Sequence, residues 1–124
     1  MMVLVDTSVW VSHFKRSNTA LVALLESDRV LSHPMVLLEL ACGTPPEPRS
    51  RTLASVGLLQ QANQATLPEA MAFVEQERLY GAGCGLVDVM LLASALLTPQ
   101  ARLWTLDKRL AGLCERFGVE YRSK

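Results

Sequence analysis

The sequence predicts an α/β fold, a parallel sheet of short strands with helices on both faces. Three observations carry that expectation. Short apolar runs alternate along the chain with segments of helical periodicity. Two of those runs end directly in an aspartate, Asp6 and Asp107. In open parallel sheets the functional crevice lies at the carboxyl ends of the strands, so two acids there point at one place if the strands are neighbours. Half of the 124 residues are hydrophobic and 19% are charged. That is enough apolar side chain for one core and excludes general disorder, and a length of 124 suits a single domain over residues 1–124.

The elements follow in order. Val3 to Val5 reads as a buried strand cut off by Asp6-Thr7-Ser8. Val9, Val11 and Phe14, with Trp10, fit a short helix. Asn18 is placed to cap a second helix with apolar positions Leu21, Leu24 and Leu25. Arg29 to Ser32 is a short strand, and Pro34 opens a helix through Ala41 that Cys42-Gly43 and Pro45-Pro46 stop. Residues 48–60 carry a weaker helical pattern. Pro68 starts a helix with Ala70, Met71, Phe73 and Val74, and Gly81, Gly83 and Gly85 form a loop. Leu86 to Leu97 is a strongly apolar helix ended by Thr98-Pro99. Arg102 to Leu106 is a strand, Asp107 starts a helix ending near Gly118, and Val119 to Arg122 is a last short strand.

Composition narrows the functional classes. The three cysteines, Cys42, Cys84 and Cys114, are widely spaced and contain no C-x-x-C pair, which removes a zinc knuckle or redox motif. Free thiols point to a reducing compartment, most simply the cytoplasm. The opening Met-Met-Val-Leu-Val-Asp lacks the basic start of a signal peptide. The longest apolar stretch, Leu86 to Leu97, contains Asp88 and falls short of the roughly 20 residues a bilayer span needs, so no membrane partner is expected.

Four acids are isolated in apolar surroundings. Asp6 is the first charge in the chain, and Lys15 is the next. Glu39 stands alone between Arg29 and Glu47, Asp88 alone between Arg78 and Arg102, and Asp107 directly follows Leu103-Trp104-Thr105-Leu106. A lone carboxylate is expensive to bury unless it is paired or bound to a cation. A shared site holding a divalent metal accounts for them together, and an oxygen-only donor set selects Mg²⁺ or Mn²⁺. Each acid also has an ordinary structural reading. Asp6 and Asp107 sit where helix N-caps sit, Asp88 lies in the first turn of its helix, and Glu39 fits an exposed helix edge.

The run Val5-Asp6-Thr7-Ser8-Val9-Trp10 resembles the opening motif of PIN-domain ribonucleases. Glu39 in Leu-Leu-Glu-Leu-Ala resembles that family's helix glutamate. Leu86-Val87-Asp88-Val89-Met90 and Thr105-Leu106-Asp107-Lys108-Arg109 resemble its central and fourth motifs. The ordered set covers essentially the whole chain, with Leu110 departing from the Phe that many members carry. In size the chain is similar to the VapC toxins of bacterial toxin–antitoxin pairs. The resemblance implies a PIN-like three-layer α/β fold, its central parallel twisted sheet of four to five short strands flanked by helices. It implies a metal-dependent endoribonuclease leaving 5′-phosphate products, with one or two Mg²⁺ or Mn²⁺ ions as cofactor. Asp6 and Asp88 would be direct metal ligands, Glu39 a ligand or the residue that orients water, and Asp107 part of a second, weaker metal site. Thr7, Ser8 and Thr105 would support these acids by hydrogen bonds, and Lys108 and Arg109 would contact substrate phosphate.

Twelve basic residues balance twelve acidic ones. With the four candidate ligands set aside, eight acids face twelve bases, and a positive rim around an acidic hole suits a metal nuclease. Further cations on offer are Lys15-Arg16 and Arg49 with Arg51. Cleavage through the RNA 2′-hydroxyl would instead need a histidine pair, for which only His13 and His33 are available. A haloacid-dehalogenase phosphatase would need an acid where Ser8 stands, and a phosphoacceptor receiver domain would need acids before Asp6. A catalytically silent PIN-like module binding RNA or protein is the alternative of a different class. Expected partners are the RNA substrate, a VapB-like antitoxin and a second copy of the chain. The homodimer expectation rests on the resemblance and a mean hydropathy of +0.23, with helices 18–28 and 34–43 as the interface. The RNA target, whether transfer, ribosomal or messenger, is left open.

Overall fold

In a computed structural model of the chain, which describes residues 1–123, three strands and seven helices are arranged as a parallel α/β layer structure. Lys124, the last residue of the expected domain, lies outside the described residues. The elements are β1 (Met2–Val5), α1 (Thr7–Lys15), α2 (Thr19–Glu26), β2 (Val30–Leu31) and α3 (Pro34–Cys42), followed by α4 (Arg49–Gly57), α5 (Leu67–Glu77), α6 (Leu86–Leu97), β3 (Ala101–Trp104) and α7 (Lys108–Arg116). The strand order is β2-β1-β3. Both pairings are parallel, with Val3 opposite Val30 and Arg102, and Val5 opposite Trp104. The β1 and β3 ends are therefore in step, which brings the chain segments after Val5 and Trp104 side by side.

The sheet has three strands among the described residues, not four to five. The expected last strand at residues 119–122 is reduced to one bridge, Leu103 with Glu120. Leu103 N–H donates to Val119 O at 2.7 Å and Tyr121 N–H to Leu103 O at 3.0 Å. The ladder cannot grow either way. Before it, Ala101 N–H is already committed to Thr98 O in a turn, and beyond it the chain leaves the sheet at Thr105. A second isolated bridge joins Ser32 to Gln61 on the other edge. It draws residues 60–62 into extended backbone, so the helix expected over 48–60 ends at Gly57.

Val3, Leu4 and Val5 are sealed from solvent at the centre of the core. Val9 of α1, Val36 and Leu40 of α3, Leu91, Leu92 and Ala95 of α6, and Leu110 and Cys114 of α7 join the same cluster. In α6 every residue from Met90 to Ala95 is buried, so this helix is a core element that reaches the surface at its first turn and again at Leu96 and Leu97. The first turn carries Asp88. Asn18 caps α2 through Oδ1, which accepts from Leu21 N–H at 3.0 Å, as the sequence suggests. Thr66 and Glu69 close a reciprocal capping box at the start of α5. Arg49, a candidate phosphate contact in the sequence, instead donates to the carbonyls of Ala41 and Gly43 and so ties down the end of α3.

Candidate active site

The four acids are delivered by four elements to the carboxyl ends of the central strands. Asp6 immediately follows β1, Asp107 lies three residues beyond β3, Asp88 sits in the first turn of α6, and Glu39 is on α3. Their burial differs, which corrects the premise that all four are core residues. Asp6 is buried at 6% exposure and Asp88 is half-buried, while Glu39 and Asp107 are exposed. The desolvation argument therefore does not extend to the exposed Glu39 and Asp107.

Asp6 stands at the N-cap position of α1, yet its side chain makes no capping bond. Its Oδ2 accepts from Ser8 Oγ at 2.6 Å and from Thr105 Oγ1 at 2.8 Å. The hydroxyls are themselves fixed from behind. Ser8 Oγ accepts Leu106 N–H, and Thr105 Oγ1 accepts Asp107 N–H, both at 3.0 Å. Each hydroxyl thus uses its lone pair on the backbone and its proton on Asp6, which leaves its orientation no freedom. This network clamps the end of β1 to the turn after β3. Thr7 serves another acid, its Oγ1 donating to Glu39 Oε1 at 2.6 Å. Asp107 does cap its helix, with Oδ1 accepting from Arg109 N–H at 2.8 Å and Leu110 N–H at 3.1 Å. Asp88 Oδ2 accepts Gly85 N–H at 3.3 Å, half of a capping box, since Gly85 has no side chain to return.

A common pattern results. In each of the four carboxylates one oxygen is held by a protein donor, and the other has no hydrogen bond among the described residues. None of the four forms an ion pair there either. Asp88 shows the consequence. Burial pushes its carboxyl up from the usual aspartate value, the Gly85 N–H opposes this, and the charges of Asp6, Asp107 and Glu39 push it up further. The donor set is all oxygen, negative and uncompensated, which fits a hard divalent cation. Among the described residues no three His, Cys, Asp or Glu side chains close on a single point.

The cations expected beside the site divide. Lys108 and Arg109 are exposed in the first turn of α7. The Arg109 side chain lies against the glycine loop, donating from Nη1 to Gly83 O at 3.4 Å. Gly83 has φ +82°, and a Cβ there would meet Arg109 Nη1 at 3.0 Å. Sequence reasoning did not single out this support, nor Cys84 beside it. The Cys84 thiol is raised chiefly by burial and then by the Asp88 and Asp107 charges, with Arg109 opposing. Its position four residues before Asp88 in a glycine loop was the available signal.

Both histidines are occupied structurally. His13 Nδ1 accepts Asn18 N–H at 3.0 Å, and the buried His33 caps α3, its Nδ1 accepting Met35 N–H at 3.0 Å. Neither touches the acids, which leaves no histidine pair for a 2′-hydroxyl route.

Comparison with known proteins agrees with this geometry. The model of the PIN domain family matches residues 3–115. The chain is 43% identical over 118 residues to ribonuclease VapC32 of Mycobacterium tuberculosis, in strains CDC 1551 / Oshkosh and ATCC 25618 / H37Rv, covering 95% of this chain and 94% of the relative. With a parallel sheet that sets Asp6 against the turn holding Thr105 and Asp107, and with that match over nearly its whole length, the chain belongs to the PIN-domain family.

Proposed function

We propose that this protein is an endoribonuclease that hydrolyses RNA phosphodiesters with Mg²⁺ or Mn²⁺ and acts as the toxin of a VapBC-type pair. The observation that carries the chemistry is the pattern of four carboxylates, each with one oxygen fixed by the protein and one left open. The name of the 43% identical relative, a ribonuclease VapC, supports the biological assignment.

Asp6 and Asp88 would hold the cation directly, with Glu39 as third ligand or as the group that orients the attacking water, and Asp107 completing a weaker position. When bound, the cation supplies positive charge to the attacked phosphate and acidity to water. The chain's own part is preorganisation. Ser8 and Thr105 fix the rotation of the Asp6 carboxylate, and Thr7 fixes that of Glu39, so the open oxygens keep their aim. Lys108 and Arg109 stand beside Asp107, where a phosphate of the strand would pass. With water as nucleophile the products carry 5′-phosphates.

Self-association is part of this reading, with α3 of the two expected helices offering an exposed apolar side chain. The Leu21 and Leu24 side chains of α2 are buried in the monomer core. Exposed apolar side chains include Leu38 on α3, and Leu67, Met71 and Leu86 around a cavity of about 510 Å³ between α5 and α6. An antitoxin would hold the toxin by laying an apolar segment on its surface and setting an Arg or Lys against the open carboxylate oxygens. The cytosol suits three free thiols.

The test is cleavage of a mixed RNA pool with Mg²⁺ or Mn²⁺, with EDTA, and with Asp6→Asn and Asp88→Asn. Metal-dependent cleavage lost in both variants is expected, with 5′-phosphate ends. Undiminished cleavage in either variant, or cyclic 2′,3′-phosphate ends, would overturn the metal-site reading. RNA binding without cleavage would favour the silent module. Expression alone should arrest bacterial growth, and co-expression with the neighbouring open reading frame should relieve it.

A further inference from the structure

The single bridge that replaces the expected last strand opens a cleft at the other end of the sheet. Between α2 and residues 120–122 lies a cavity of about 630 Å³, against the starts of β2 and β3. Its floor is apolar, from Ala20, Ala23 and Leu24. Its rim carries Arg29, Arg102 and Arg122 with one carboxylate, Glu120, which Arg122 pairs, and Tyr121 stands beside them. An adjoining hollow shares Met1 and Arg102 with this cleft.

The three guanidiniums are not equivalent. Arg122 is matched by carboxylates, donating to Glu120 at 3.0 and 3.1 Å and to Glu115 at 3.4 Å. Arg102 meets no carboxylate, and its one protein contact is the carbonyl oxygen of Glu120 at 3.2 Å. The Arg29 side chain has no hydrogen bond or ion pair among the described residues. Two uncompensated guanidiniums thus face a cleft of the volume range that takes small molecules, with an aliphatic floor and an aromatic wall. A planar guanidinium donates in a fork that matches phosphate oxygens, and an aromatic wall suits a flat base.

We propose that this cleft binds one nucleotide unit, its phosphate on Arg29 and Arg102 and its base against Tyr121 and the α2 floor. The site is separate from the acids. Four-residue strands set the two ends of the sheet about 13 Å apart. The same chemistry is offered by a free nucleotide or by a stretch of RNA that continues past the sheet, and neither source depends on the catalytic reading.

The test measures binding by the full chain in EDTA, where metal-dependent cleavage cannot intervene. The probes are fluorescent adenosine 5′-monophosphate and a labelled single-stranded RNA oligonucleotide, each against salt. The variants are Arg29→Ala, the double variant Arg29→Ala/Arg102→Ala, and Arg29→Glu, which leaves the Arg102–Glu120 contact in place should the double variant fold poorly. Affinity for at least one probe should fall about tenfold or more in the double variant and in Arg29→Glu. If RNA is the ligand, the salt slope should drop by about 0.7 for each phosphate contact removed. Mononucleotide binding lost in the variants identifies a free ligand as sufficient, and loss for RNA alone identifies a strand. Unchanged affinities and slopes, or no binding of either probe by the parent protein, overturn the proposal. If Asp88→Asn abolishes cleavage while the arginine variants bind RNA like the parent, the cleft has failed and the catalytic reading stands.

Discussion

Removing the hydroxyls that hold Asp6 should destabilise the protein through the charge they serve. In Ser8→Ala, Asp6 Oδ2 loses a 2.6 Å donor, and in Thr105→Val it loses a 2.8 Å donor with little change of shape. A hydrogen bond to a charged group contributes roughly 1.5–3 kcal/mol, so each variant should lose about 2 kcal/mol. The peptide N–H groups of Leu106 and Asp107 lose their hydroxyl acceptors too, but both residues are exposed and water replaces the bond at little cost. The double variant strips Oδ2 of both donors and leaves a carboxylate at 6% exposure with no partner. Breaking a buried charge network costs about 3–5 kcal/mol, so the double variant should lose about 4 or more. In an Asp6→Asn background the acceptor is neutral, and the same substitutions should cost about 1 kcal/mol each. The assay is urea unfolding in EDTA followed by circular dichroism. With a denaturant slope of about 2 kcal/mol per molar, each single variant should move the midpoint down by roughly 1 M. A shift below about 0.2 M, or an equal shift in the Asp6→Asn background, would refute a clamp built on the Asp6 charge.

Asp88→Asn should raise the melting temperature in EDTA, because burial and three neighbouring acids disfavour its ionised form. The folded carboxyl titrates above the unfolded value of 3.8, so the penalty is present at neutral pH and is relieved as pH falls through the folded value. The variant should lack that gain on acidification, and a lowered melting temperature at pH 7 would count against it. His33 behaves in the opposite sense. Burial holds its folded value below 6.5, so stability is full above that pH and falls as acid protonates the unfolded chain. His33→Asn keeps a good helix cap and should flatten the stability profile below pH 6.5; an unchanged slope there would remove His33 as the cause. Gly83→Ala places a Cβ at φ +82° and against Arg109 Nη1, and should cost about 1–2 kcal/mol and release the arginine. Arg109→Ala should largely remove the steric part of that cost, and identical losses in both backgrounds would show that backbone strain alone is responsible.

The elements were legible wherever one residue type decides local structure. Asn18 before Leu21 and Leu24, Pro34 before a periodic run, and Asp107 before α7 all mark helix starts that do not depend on distant contacts. The bounds of α6 are the apolar run itself, Leu86 to Leu97. The four acids were legible as a set because a charge alone in an apolar segment needs an explanation, whichever fold supplies it. Only the tertiary structure decided how each acid is used. Asp6 and Asp107 look alike in sequence, each a helix-starting aspartate after a strand. Asp107 caps its helix, while Asp6 turns from the cap to hydroxyls at positions 8 and 105. That choice depends on β1 and β3 lying side by side in register, a pairing between residues about a hundred positions apart that no local pattern encodes. The same limit governs the sheet edge. Val119 to Arg122 has the alternation of a strand, but strand length is set by what the partner leaves free, and β3 turns away at Thr105 to serve Asp6.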